Sequence, residues 1–235
     1  MAETAAAPPP AKAAAPVKPR NPSGLADLLV ITLYIDLAVD AVNTVADTLD
    51  LRFVSQVDPE TPASFGGSLP GEGWVSVFQG LSALAQTLIF VVCGFLCLKW
   101  IYRMSLNAHS LAPDMKISPA WGVGWFFVPF ASLWKPFQGV RESWQVSASA
   151  GHDWQVQPVP PLLRWWWGLW LASNIIGNVS LRLQMNATSA GEVAISGALS
   201  LLQDIANVPL DVLFIFVVRR LTALQLGALS QHVFD

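Results

Sequence analysis

The stretch Trp74–Tyr102 reads WVSVFQGLSALAQTLIFVVCGFLCLKWIY, and its first charge is Lys99. A helix needs about 20 mostly apolar residues to cross a hydrocarbon core of about 30 Å, and this run supplies them. Three more stretches pass the same measure: Leu25–Leu49, Leu162–Leu183 and Ile195–Arg219. The whole composition agrees. Apolar residues make up 53% and charged residues 12%, half the charged share of ordinary globular domains. Mean hydropathy is +0.47. The expectation is an all-α membrane protein, a bundle of four transmembrane helices.

The regions around these runs set the domain plan. Residues 1–24, MAETAAAPPPAKAAAPVKPRNPSG, are Ala/Pro-rich and bury no core, so a disordered tail is expected there. They contain no apolar h-region, so they do not read as a signal peptide. The four-helix domain then covers 25–222, with a short tail at 223–235. The linker Asp50–Gly73, rich in Pro, Gly and acid, reads as a surface loop.

Basic residues orient the spans. Lys12, Lys18 and Arg20 precede the first. Lys99, Arg103, Lys116, Lys135, Arg141 and Arg164 lie between the second and third or at their edges, and Arg219 and Arg220 end the fourth. With four crossings all of these share one side. The other side keeps Arg52 and Arg182 among Asp50, Asp58, Glu60, Glu72 and Glu192. Both termini are therefore expected in the cytoplasm of a multi-pass inner-membrane protein.

Polar residues inside the spans fall on single helix faces. Asp36, Asp40, Asn43 and Asp47 are spaced four, three and four in the first span, and Asp204, Asn207 and Asp211 three and four in the fourth. Asn174, Asn178 and Arg182 are spaced four and four in the third, and the second offers Gln79 and Gln86. At 1.5 Å per residue from each cytoplasmic end, Asp40, Asp204, Asn178 and Gln86 all lie about 20–22 Å deep. Asp36, Asn174 and Asp211 form a shallower group, and Arg182 is placed to pair with Asp47 or Asp40. Two readings follow. The layer hydrogen-bonds across helices and fixes the bundle's register, or its carboxylates line a path for protons or cations. Pro209 should kink the fourth span.

The segment 118–146 is as apolar as a span but broken. SPAWGVGWFFV gives about ten helical residues before Pro129, roughly 15 Å, too short to cross. Ser118 and Pro119 suit an N-cap and first helical position. A second piece from Ser132 to about Gln145 sets Leu133, Phe137, Val140 and Trp144 on one face. Lys135, Gln138, Arg141, Glu142 and Gln145 fall on the other. That is an amphipathic helix suited to the membrane interface, or a re-entrant one. Nine of the eleven tryptophans lie between Trp121 and Trp170, and Trp favours the headgroup layer. Trp121, Trp125, Pro129, Trp134, Lys135, Pro136, Arg141 and Trp144 are the expected interfacial or partner surface.

Several chemistries find no footing. A net charge of −3 gives no basis for nucleic-acid binding. Cys93 and Cys97, one turn apart in an apolar run, read as packing residues. His109, His152 and His232 all lie outside the spans, so haem ligation within the bilayer is not expected. There is no HExxH, GxSxG or GxxxxGK[ST] pattern. No cofactor, metal site or catalytic residue is expected.

Four stretches in order, WIYRMSLNAHSL, SPAWGVGWFFVPFASLWKPFQGVRESW, LRWWWGLWLASNIIGNVSLRL and VVRRLTALQ, carry a resemblance. Together they resemble the bacterial membrane family known only as domain of unknown function 4328, over roughly Ser76 to Gln225. The resemblance implies an integral inner-membrane protein and no catalytic residue. The functional expectation is a non-enzymatic membrane scaffold, sensor or partner module. The alternative is a small proton- or cation-linked transporter or channel component using the Asp layer. The lipid bilayer is the expected partner, with protein partners or further copies of the chain, and without nucleic acid.

Overall fold

A computed structural model describes residues 19–64, 67–71 and 73–232. The expected disorder of the N-terminal tail falls mainly on residues 1–18, outside the described residues. Helix α1 spans Ser23–Val54 and α2 spans Trp74–Leu111. A broken segment follows: α3 at Pro119–Gly124, 3-10 turns at Trp125–Phe127 and Ala131–Leu133, then α4 at Lys135–Ser149. After a 3-10 turn at Trp154–Val156 come α5, Pro161–Asn186, and α6, Ala190–His232. The fold is all-α, and among the described residues the only β pairing is an isolated bridge, Pro62 with Ser189.

Local chemistry sets the helix starts. Pro161 stands in the first turn of α5, where its missing N–H costs nothing and its fixed φ suits a helix. Pro136 does the same for α4 and Pro119 for α3. Ser118 is extended at the N-cap of α3, without a side-chain capping bond. At α6 the Thr188 N–H and hydroxyl both donate to the Glu192 carboxylate, at 2.7 and 3.0 Å. The backbone N–H of Thr188, then its hydroxyl, hold the Glu192 carboxyl below its ordinary range.

Among the described residues two helices, α2 and α6, are long and apolar enough to cross a membrane; α1 and α5, expected as spans, do not meet that measure. Helices α2 and α6 are also longer than a crossing requires. With 38 and 43 residues they measure about 57 and 64 Å, against a hydrocarbon core of about 30 Å. Residues 103–111 of α2 and 220–232 of α6 are therefore helix continuing past the apolar run. Apolarity ends at Tyr102 and Arg219, but backbone hydrogen bonding does not.

The long helices run antiparallel in the order α2, α1, α6, α5. Helix α1 packs on both α2 and α6, and α6 packs on both α1 and α5. The outer helices α2 and α5 hardly meet, so the array is an open arc rather than a closed ring. At one end, the loop end, the α1–α2 linker bonds to the α5–α6 turn: Ala63 N–H to Thr188 O at 2.9 Å and Ala190 N–H to Thr61 O at 2.9 Å. At the other, the cap end, α3 and α4 fill the space beside the projecting ends of α2 and α6. The main core bridges the two parts. Leu29, Leu33, Trp100, Leu163, Val217, Val218 and Leu221 are almost wholly buried there, and Trp166 stacks on Phe214 at 5.0 Å.

Helix α4 corrects the picture of a helix with one solvated face. Val140 and Trp144 are buried, but so are Glu142 and Gln145, at 3% and 7% exposure. Glu142 accepts the N–H groups of Lys116 and Ile117, each at 3.2 Å. The Gln145 amide donates to Gln157 O at 2.6 Å. The segments on either side fold over the polar face, so α4 is wrapped by the cap.

Candidate functional site

The α1 polar face lies in the seam between α2 and α6. Asn43 donates to Gln86 Oε1 at 2.7 Å, and Gln86 Nε2 donates to Asp36 Oδ1 at 3.2 Å. Gln79 bonds Asp47. On the other side Asn207 lies beside Asp40, and Ser173 of α5 donates to Asn207 Oδ1. Asp204 and Asp211 face the same seam, near enough to Asp36, Asp40 and Asp47 for mutual repulsion. Asp40 is 2% exposed and Asp211 8%. Asp40 Oδ1, Asp204 Oδ2 and Asp211 Oδ2 are buried without a hydrogen-bond partner among the described residues. The structure thus brings together Asp36, Asp40, Asp47, Gln86, Asp204, Asn207 and Asp211.

It does not bring the α5 residues to them. Asn174, Asn178 and Arg182 are exposed on the outer face of α5. Asn174 Nδ2 donates to Trp170 O at 2.7 Å and Asn178 Nδ2 to Asn174 O at 2.8 Å, both within their own helix. Arg182 pairs with neither Asp47 nor Asp40, and its carbonyl accepts Asn186. The reason is packing. Ser173, Gly177 and Ser180, small residues spaced four and three, take the side facing α6. Gln203 fills the space where a Gly177 side chain would stand. Ser180 donates to Ser196 O at 2.8 Å and lies 2.7 Å from the Ser200 hydroxyl. Small residues let the backbones approach and hydroxyls bond across, which turns the bulkier polar residues outward.

A second polar cluster sits at the cap end. Asn107 is fully buried. Its Oδ1 accepts Arg20 N–H at 3.0 Å, and its Nδ2 donates to Arg20 O at 2.8 Å and Gln225 Oε1 at 2.9 Å. Gln225, also fully buried, donates to Met104 O at 2.9 Å and Ser147 Oγ at 3.4 Å. One side-chain pair thereby joins the chain entering α1 to α2, α4 and α6. Nearby Trp100 Nε1 donates to Thr222 Oγ1 at 3.2 Å. Depth counting inside the apolar runs does not reach these residues; their sequence signal is their place in the stretches WIYRMSLNAHSL and VVRRLTALQ.

The expected interfacial surface divides. Trp121, Pro129 and Trp134 are exposed, and Trp125 and Lys135 are half-buried, with the Lys135 ammonium 5.8 Å from the Trp125 ring centre. Pro136 and Trp144 are core residues, so they leave the surface set. Arg141 is half-buried with Nε unpartnered. It lines a small cavity of about 190 Å³ with Lys116, Glu142 and Gln155. A larger open groove of about 550 Å³ lies between α4 and the end of α6, lined by Ser149, His152, Arg220, Leu224 and Gln231 among others. Among the described residues no group of three or more His, Cys, Asp or Glu side chains is placed to hold a metal ion.

A family model described as a Domain of unknown function (DUF4328) matches residues 74–223, from the start of α2 well into α6. Helix α1, with Asp36, Asp40 and Asp47, precedes the match. Neither a curated protein nor a solved structure matches the chain.

Proposed function

The chain belongs to the DUF4328 family, and from that premise we propose that it is a non-enzymatic inner-membrane module that docks on a membrane partner through the outer face of α5. In this reading α1, α2, α5 and α6 all cross the bilayer, and the cap lies in the cytoplasm with both termini. Large apolar side chains exposed along every long helix support the crossings, among them Ile31, Leu88, Ile175 and Phe216. A soluble surface rarely carries so extended an apolar patch. The basic residues Lys99, Arg103, Lys135, Arg164, Arg219 and Arg220 gather at the cap end, as expected for the cytoplasmic side.

The observation that carries docking is the outward stripe Asn174, Asn178 and Arg182. Polar and charged groups inside a span normally face a bundle interior or a partner, because lipid cannot hydrogen-bond them. Here the chain's own bundle leaves them uncovered. A second copy of this chain or another membrane helix satisfies that requirement, and the hydrogen-bonding carbonyls of the Asn side chains supply the acceptors. The test is extraction from native membranes in polymer discs, followed by mass measurement. Wild-type particles should hold more than one chain or a stoichiometric partner. The triple variant N174L/N178L/R182L should hold one chain at undiminished abundance. Wild-type particles with a single chain and no partner would remove the proposal.

The unpartnered oxygens of Asp40, Asp204 and Asp211 are the one observation that bears on a second reading, a proton- or cation-linked path along the α1–α6 seam. Asp40→Asn and Asp204→Asn test it in proteoliposomes. If neither changes any proton or cation flux in a folded protein, the path is absent and the seam is structural.

A further inference from the structure

We infer that the loop from Trp125 to Trp134 is inserted into the acyl boundary of the cytoplasmic leaflet as a re-entrant aromatic anchor, while α3 and α4 on either side stay in the cap. The inference rests on the membrane reading above and narrows it to one segment and one partner, the lipid leaflet itself.

Depth is the first argument. Trp167 Nε1 donates to Leu133 O at 2.9 Å. The Phe126 ring meets Trp167 and Trp170 edge-on, with centres 6.3 and 6.0 Å apart. Trp170 stands six residues past the exposed Arg164, about 9 Å further along α5. The loop therefore lies beside the body of α5, not beyond its end.

Exposure is the second. Phe127 is 73% exposed and Phe130 79%, on the two sides of Pro129. Leu133 and Trp134, at the end of the same loop, are exposed as well. A turn at Phe130, with φ 62° and ψ −49°, is strained for a residue with a side chain. The strained turn holds a phenyl ring outward, where the cap has nothing to bury it.

Backbone chemistry is the third. Irregular backbone is excluded from the hydrocarbon centre, and at the acyl boundary it is held where most of its polar groups are satisfied. Here the Phe130 N–H has no bond among the described residues, but its neighbours do. Ala131 N–H bonds Pro129 O at 2.7 Å, Ser132 N–H bonds Val128 O at 3.0 Å, and Leu133 N–H bonds Phe130 O at 3.0 Å. Trp134 N–H bonds Ala131 O at 3.2 Å, and Pro129 has no N–H to satisfy. Charge completes the fit. Lys135, over the Trp125 ring, and Arg164 stand at the base of the loop, where anionic phosphates lie.

Nitroxide labels test this on the full chain in lipid nanodiscs. They are placed at Phe127→Cys, Phe130→Cys, Phe90→Cys of α2 and His152→Cys of the cap, in a C93S/C97S background. Collision with oxygen is compared with collision with a water-soluble nickel chelate. Labels at 127 and 130 should favour oxygen as strongly as at 90, and several-fold more than at 152. Lipid contact at 90 with water contact at 127 and 130 overturns the anchor and leaves the membrane reading intact. Water contact at 90 removes both. Labels at 127 and 130 shielded from both reagents mean a protein contact, which also overturns it. If the cysteine background does not fold, a benzophenone amino acid at 127 or 130 in the otherwise native chain replaces it. Phospholipid adducts support the anchor, and adducts to protein alone or none overturn it.

Discussion

The chain buries two polar clusters and treats them in opposite ways. At the cap end the carboxamides of Asn107 and Gln225 bond Arg20, Met104 and Ser147 as well as each other. In the α1–α6 seam carboxylates crowd together, and Asp40, Asp204 and Asp211 each leave an oxygen unpaired. Neutral amides carry donors and acceptors together, so a buried set can close on itself. Carboxylates only accept, and the amide donors in the seam are too few to reach every oxygen. The first cluster is therefore expected to hold the fold together, and the second to be tolerated by it.

The largest effect should come from breaking the closed cluster. Asn107→Ala leaves the buried Gln225 Oε1 without its donor, frees the Arg20 backbone and opens a cavity, and should cost about 3 kcal/mol, read by denaturant unfolding in detergent. A loss near zero would deny the cap knot its role. Gly151→Ala should come next. Gly151 has φ +89°, and a Cβ there would stand 2.5 Å from Leu111 O, so about 2 kcal/mol of strain should appear in the same assay. The seam should respond with the opposite sign. Asp204→Asn keeps the shape and removes one charge from a crowded site, so stability should stay level or rise by about 1 kcal/mol. A loss as large as that of Asn107→Ala would collapse the contrast between the clusters. The smallest effect concerns pH at the loop end. Binding to Thr188 lowers the folded-state pKa of Glu192 below its ordinary 4.5. Its stabilisation should be full above that value and fade as pH falls through the folded pKa. The Glu192→Gln variant should lose that part of the acid sensitivity, seen in the pH dependence of unfolding.

The apolar runs made the long helices legible, because a stretch such as Trp74–Leu98 has few other fates. Their ends were not, since α2 continues through RMSLNAHSL on backbone bonds that hydropathy does not register. Spacing put Asp36, Asp40 and Asp47 on one face and Asn174, Asn178 and Arg182 on another. It did not say which face looks inward. For α5 the small residues Ser173, Gly177 and Ser180 decide that, and their spacing is present in the sequence. For α4 the amphipathic pattern was real, but Glu142 and Gln145 are buried because backbone far along the chain supplies their partners. The γ-turn at Phe130 leaves no sequence signal beyond the proline before it.

Topology tests the account most directly. Gln56→Cys lies in the loop-end linker and His152→Cys in the cap, on opposite sides if the four helices cross. In intact cells a membrane-impermeant maleimide should label residue 56 and leave residue 152 unlabelled until the membrane is opened. Equal labelling of both positions from the same side would contradict the proposed four crossings.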